Sequence, residues 1–246
     1  MREDLIYGIH AVNRLLEIKP ELFLEIFLME PSENARVQEI VTLAKKQGIA
    51  IDRIPRKQLD AWLPNLNHQG VAAKVRPSNH LNENDLEELI QGSASKPLFL
   101  VLDGVQDPHN LGACLRTSDA TGVTALIIPK DKSASLTPVV RKVACGAAEM
   151  VPVVQVTNLV RTLEMLKKQG VWIMGTSALA TQSVYQVDLK GSVAIVLGAE
   201  GSGLRRLTEE HCDLLMQIPM QGIVESLNVS VAAGVCLYEA LRQRGL

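Results

Sequence analysis

The sequence predicts an α/β protein in two parts, the larger built on a mainly parallel sheet covered on both faces. Three observations carry this. From residue 97 onward, short and nearly all-apolar runs alternate with helical stretches. A separate, shorter α/β stretch precedes them, cut off by an acidic segment bounded by Pro, Ser, Gly and Asn. No apolar run approaches the roughly 18 residues of a membrane span.

In the first part (1–76), Ile9, Val12, Leu15 and Leu16 recur at helical spacing, and residues 23–28 read as a strand. Val37, Ile40, Val41 and Ala44 mark a second helix, ended by Lys45, Lys46 and Gly48. Residues 49–54 and 71–75 read as further strands. Residues 77–96 read as a linker whose interior is one short acidic helix. In the second part (97–246), strands are expected over 98–102, 124–128, 171–176, 193–197 and 215–218. Helices are expected over 111–121, 158–169, 204–212 and 226–242.

The chain carries 25 basic and 27 acidic side chains, a net charge of −2. The first part holds 11 basic and 10 acidic residues, the second 13 of each, and the linker one base against four acids. Both parts are therefore near balance, which excludes a global positive field for nucleic acid. Any such binding must rest on local groups: Arg53, Arg56 and Lys57 in the first part, and Lys130, Lys132, Arg141 and Lys142 in the second. Aromatic residues make up 3% of the chain, so extensive base stacking is not expected. The four cysteines (Cys114, Cys145, Cys212, Cys236) lack C-x-x-C spacing, which argues against a disulfide framework or a zinc site, and no metal is expected. The N-terminus has no apolar segment behind it, so a signal peptide is not expected and a cytoplasmic protein is.

Three stretches could carry chemistry, and each follows a predicted strand. In 103–119, Asn110 opens a helix that carries Arg116. Asn is a leading N-cap residue, so capping explains it as well as function does. Its place beyond the carboxyl end of a strand favours a site. His109, after a proline, reads as a turn residue. In 198–203 the order is G-x-x-G-x-G, neither a dinucleotide fingerprint nor a P-loop. Glu200 inside that loop would repel a phosphate; it suits a cationic ligand or an arginine partner. In 218–233, Ser226 reads as the N-cap of the last helix, with Asn228 and Ser230 in its first turn. That helix offers Leu227, Val231, Val235, Tyr238 and Leu241 on one stripe, suited to a core or an interface.

Together these stretches resemble the SpoU (TrmH-type) RNA 2′-O-methyltransferases of the SPOUT superfamily. N-L-G-x-x-x-R at 110–116, G-A-E-G-x-G at 198–203 and S-L-N-V-S-x-A at 226–232 stand in family order and spacing. Tyr7-Gly8-Ile9-His10-Ala11-Val12 and His68-Gln69-Gly70-Val71 are similar to the substrate-binding domain that many members carry, an L30e-like fold. The similarity covers nearly the whole chain.

The resemblance implies an L30e-like RNA-binding domain joined to a SPOUT domain with a C-terminal deep trefoil knot, a feature periodicity cannot show. It implies S-adenosylmethionine as cofactor, bound by Gly198, Ile218 and Leu227 with Thr176 and Asn228 as neighbours. The glycine would let the backbone approach the ligand. It implies Asn110, Arg116 and Glu200 as catalytic residues, with Glu200 holding Arg116 or Asn110 in place, and a homodimer packed through the knots. The implied reaction methylates the ribose 2′-hydroxyl of a guanosine in 23S rRNA, in the P-site loop, during large-subunit assembly. A tRNA or other rRNA target, or a non-catalytic RNA-binding relative, stands as the alternative. A metabolic α/β enzyme fits the composition but explains neither the N-terminal module nor Glu200.

Overall fold

The computed structural model describes residues 4–30, 34–64, 66–76, 81–93 and 96–245. The backbone divides into two units: the described residues of 1–79 with Leu136–Glu149, and those of 80–135 and 150–246.

The first unit contains β1 (Asp4–Tyr7), α1 (Ile9–Ile18), β2 (Phe23–Met29), α2 (Ala35–Lys46), β3 (Ile51–Ile54), α3 (Arg56–Trp62) and β4 (Val71–Val75). Its sheet runs β1-β4-β2-β3, with only β2 and β3 parallel. Strand alternation splits the core. Ile26 and Leu28 join Val12, Leu15 and Ile40 of α1 and α2 in one cluster. Phe27 joins Leu59 of α3, Ile54 and Tyr7 in another. The two N-terminal motifs meet. The Gly8 N–H donates to the Val71 carbonyl at 3.0 Å, and the Ile9 N–H donates to Gln69 Oε1 at 3.1 Å, capping α1. His68 is buried; the Gly70 N–H donates to its Nδ1 at 3.0 Å, which leaves the proton on Nε2 to face Asp60 Oδ1 at 2.9 Å. That hydrogen bond, with help from Arg56, holds the Asp60 carboxyl below its usual range.

The second unit begins with α4 (Asp85–Gln91), then β5 (Leu98–Asp103), α5 (Pro108–Ala120) and β6 (Ala125–Pro129). The chain then contributes α6 (Pro138–Ala144) and α7 (Ala147–Met150), most of which belongs with the first unit. It continues through β7 (Val153–Val156), α8 (Leu159–Lys168), β8 (Trp172–Thr176), β9 (Gln182–Ser183), β10 (Val193–Gly198), α9 (Arg206–Glu210), β11 (Leu214–Gln217) and α10 (Val229–Gln243). All seven strands are parallel, in the order β7-β6-β5-β10-β8-β11-β9. The expected parallel sheet is present, and its central strands β5, β6 and β10 are buried almost throughout. Late strands are inserted between earlier ones: β10 between β5 and β8, β11 between β8 and β9.

Four sequence expectations change. The acidic stretch is more than a tether: Leu86 of α4 is fully buried among Phe99, Val101 and Val154, and the Gln155 N–H donates to the Leu81 carbonyl at 2.9 Å. The ends of that stretch, 77–80 and 94–95, lie outside the described residues. α5 opens at Pro108, not at Asn110, because Asp107 is its N-cap and accepts from the His109 N–H at 2.9 Å. His109 therefore sits in the first turn of the helix. The N-cap of α10 is Asn228, not Ser226. Strands β1, β7 and β9, of four residues or fewer, are additions to the sequence reading.

Arg141 is likewise corrected as an RNA contact. Its side chain is 3% exposed and donates to Glu149 Oε1 at 2.5 Å, while Lys19 Nζ donates to the Glu149 carbonyl. Burial raises the Glu149 pKa, and Arg141 opposes that rise. A guanidinium in this position cannot reach a phosphate without abandoning a buried carboxylate. Arg141→Ala should therefore cost about 3–5 kcal/mol in denaturant unfolding at neutral pH. The loss should shrink as pH falls below Glu149's raised pKa toward the ordinary value of about 4.3, because the stranded carboxylate is then protonated.

Candidate active site

The loops after β8, β10 and β11, three neighbouring strands, close around a cavity of ≈ 400 Å³. Leu197, Met216, Ile218 and Leu227 give it apolar walls, and the segments 176–179 and 198–204 supply much of the remaining lining. The charged side chains along it are Glu200, Glu209 and Glu225, with no Lys, Arg or His among the lining residues. Such a site suits a ligand with an apolar body and positive charge.

Backbone packing shapes the loop at 198–203. The Ala199 N–H donates to the Gly203 carbonyl at 3.1 Å and the Gly203 N–H donates back to Ala199 at 2.9 Å, so the loop closes onto the end of β10. A Cβ on Gly198 would stand 2.0 Å from the Gly203 carbonyl carbon. Gly198 is thus required first by the loop itself, a reason different from the ligand approach expected from sequence. Gly201, at φ +79°, is needed for its left-handed backbone instead.

On the rim, the three motif stretches join in one amide network whose polarity is fixed from one end. The Ser230 N–H can only donate, and it reaches Asn228 Oδ1 at 2.9 Å, so that atom is the oxygen. The Asn228 Nδ2 then donates to Asn110 Oδ1 at 2.9 Å and to Glu200 Oε1 at 2.5 Å. Asn110, with its oxygen so committed, donates from Nδ2 to Glu200 Oε1 at 3.0 Å. Asn110 is buried on the first turn of α5, relieved of capping by Asp107.

Of the residues expected at the cofactor, Gly198, Ile218, Leu227 and Thr176 line the cavity, and Asn228 lies in the network beside it. Thr176 is anchored across the sheet, its Oγ1 donating to the Val196 carbonyl at 3.2 Å. Of the expected catalytic trio, Glu200 meets Asn110, while Arg116 is exposed further along α5. In the first unit Arg53 pairs with Glu30 at 3.4 Å, Arg56 pairs with Asp60 at 3.5 Å, and Lys57 is exposed. Lys130 and Lys132 are exposed after β6. Lys142 is held down: its Nζ donates to the Asn67 carbonyl at 2.7 Å and lies over the Tyr7 ring. Sequence reading did not single out Met216, Glu209 or Glu225, which line the cavity from β11, from α9 and from the loop just before Ser226.

Known proteins match this arrangement. The model of the SpoU rRNA Methylase family matches residues 97–238, and that of RNA 2′-O ribose methyltransferase substrate binding matches residues 5–81. The chain is 56% identical over 241 residues to a 23S rRNA (guanosine-2′-O-)-methyltransferase of Pseudomonas putida, covering 98% of this chain and 97% of that one. It is 55% identical over 244 residues to the protein of the same description from Vibrio cholerae, covering 99% and 98%. Among solved structures, an RNA 2′-O ribose methyltransferase superposes with a TM-score of 0.83 at 29% identity, covering 100% of this chain and 90% of that one. The SpoU methyltransferase AviRb from Streptomyces viridochromogenes, solved in complex with AdoMet, shares the fold with a TM-score of 0.79 at 22% identity, covering 98% and 90%.

The loop packing makes a prediction. Gly198→Ala forces backbone apart and should cost about 3 kcal/mol or more in denaturant unfolding. Gly201→Ala, which meets open space and bears only left-handed strain, should cost about 1–2 kcal/mol.

Proposed function

The chain belongs to the SpoU rRNA methylase family, and from that premise we propose that it transfers a methyl group from S-adenosylmethionine to the 2′-hydroxyl of a guanosine in 23S rRNA, in the P-site loop of the large subunit. The observation that carries the reading is the convergence of Asn110, Glu200 and Asn228, one from each family motif, at the rim of the cavity. The relatives of more than half identity, matched over nearly their full length, support the 23S rRNA guanosine as substrate.

The cavity fits the cofactor. Leu197, Met216, Ile218 and Leu227 would take the adenosine, with backbone around Gly198 and Thr176 as hydrogen-bonding edges. The lining carboxylates suit a ligand that carries a sulfonium and an ammonium group. When bound, S-adenosylmethionine supplies the electrophilic methyl. The protein's own work is to align the ribose oxygen with it and to manage the hydroxyl proton. The amide network fixes Glu200 and Asn110 against each other before substrate arrives, so no reorganisation is needed at the moment of reaction. Arg116 orients the ribose and stabilises charge there, assisted by the substrate phosphate. A guanidinium, which keeps its proton throughout in proteins, is poorly suited to proton abstraction.

RNA is bound by local groups, with Arg53, Arg56 and Lys57 in an L30e-like first domain and Lys130 and Lys132 as further candidates; Lys142 would have to leave the Asn67 carbonyl and the Tyr7 ring to join them. The insertion of β10 and β11 between strands laid down earlier supports a trefoil-knotted SPOUT domain. The protein acts in the cytoplasm during large-subunit assembly; no described helix is long and apolar enough to cross a membrane. Among the described residues, no cluster of three or more His, Cys, Asp or Glu could hold a metal ion. A homodimer is supported by the last helix. Its core face is Ala233, Cys236, Leu237 and Ala240, which leaves Val231 and Tyr238, 51% and 53% exposed, available for a partner copy.

Asn110→Ala and Arg116→Ala should abolish transfer of labelled methyl to ribosomal RNA from a strain lacking the enzyme, while calorimetry shows cofactor binding largely kept. Wild-type turnover in either variant would overturn the assignment. Methyl found on tRNA or another rRNA site would overturn the substrate. Light scattering at micromolar concentration should give twice the chain mass.

A further inference from the structure

We propose that Asp103 is a positioning residue for methyl transfer, acting through Arg205 to hold the glycine-rich loop so that Glu200 meets Asn110; this rests on the reading of the site given above. Asp103 is the last residue of β5, in register with Gly198 at the end of β10. Two loops therefore leave the sheet side by side. One runs from Asp103 to α5 and Asn110; the other runs from Gly198 past Glu200 to Arg205.

Asp103 ties the far end of the second loop to the root of the first. It is 1% exposed, and its carboxylate takes three donors from a single residue. The Arg205 backbone N–H reaches Oδ2 at 3.0 Å, the Arg205 Nε reaches Oδ1 at 2.5 Å, and Nη2 also meets Oδ1. A carboxylate this deeply buried is stable only with such partners, so the two residues hold each other firmly. The loops also run against one another: a Cβ on Gly104 would come within 3.9 Å of the Ala199 Cβ. Between their tips lies the 3.0 Å bond from Asn110 to Glu200. Asp103 is absent from both the cavity lining and the amide network, so its influence on the reaction passes through this clamp. Lysine would replace Arg205 only in part, because its backbone N–H still reaches Oδ2 but a single ammonium stands in for two guanidinium donors on Oδ1.

The test compares Asp103→Asn and Arg205→Lys in the full-length protein. The readouts are kcat, KM for RNA, cofactor affinity by calorimetry and the thermal midpoint. In folded Asp103→Asn, kcat should fall about 100-fold, and less in Arg205→Lys, with KM for RNA within about twofold of wild type. Combined with Glu200→Gln, Asp103→Asn should add little further loss, since both act on one contact. A fully additive loss, or wild-type kcat in a folded Asp103→Asn, would overturn the proposal. Should Asp103→Asn fail to fold, Arg205→Lys and Arg205→Gln, altered on the half-exposed partner, carry the same comparison. Normal turnover in Asn110→Ala would instead remove the reading of the site itself. An inactive Asn110→Ala beside a normal Asp103→Asn would remove only this inference.

Discussion

The insertion of β10 between β5 and β8 is the constraint from which the site follows. It puts the end of β10 beside the end of β5, with Gly198 opposite Asp103, and beside the end of β8, where Thr176 stands. The next inserted strand, β11, brings Met216 and Ile218 to the same edge. Side chains at this junction must give way to backbone. Gly198 has no room for a Cβ, and one on Gly175 in β8 would meet the Cys212 sulfur at 2.6 Å and a Leu215 methyl at 2.8 Å. The crowding at the strand ends lets the backbone around Gly198 stand at the edge of a cavity whose walls are Leu197, Met216, Ile218 and Leu227.

Around that junction the polar residues work as one set. Asn228 caps α10 through its oxygen and reaches Asn110 and Glu200 through its nitrogen, so a helix start and the site rim share one side chain. Asp107 caps α5 and thereby frees Asn110. The apolar and acidic cavity favours a cation, while the basic groups proposed for RNA lie elsewhere on the chain. Near-neutral charge in both parts of the sequence is consistent with this separation: RNA selection would come from fit and local contacts, with little long-range attraction.

How much was legible varied with the range of the interaction. The strand 71–75 and the helix stop after Lys46 follow from local propensity, and they stand where the sequence puts them. Asn110 and Ser226 show the limit of cap reading. Each is a good N-cap by type, but the helix begins where another residue satisfies its first N–H groups. Arg141 and Lys142, adjacent basic residues in sequence, are both held down, one in a buried ion pair and the other on a carbonyl and a ring. Charge in a sequence does not tell exposure. Nor does acidity imply a free tether, since Leu86 anchors the acidic helix in a core made by strands that follow it.

The sequence by itself determined the alternation of strands and helices, the placing of three polar stretches after strands and the family resemblance. Periodicity, turn residues and motif spacing all act over a few residues. Only the tertiary structure decided which stretches meet. Asn110 and Glu200 lie 90 residues apart and Asn110 and Asn228 lie 118 apart. Their contact depends on strand order, which is set by hydrogen bonding and packing between distant segments and leaves no local periodic signal.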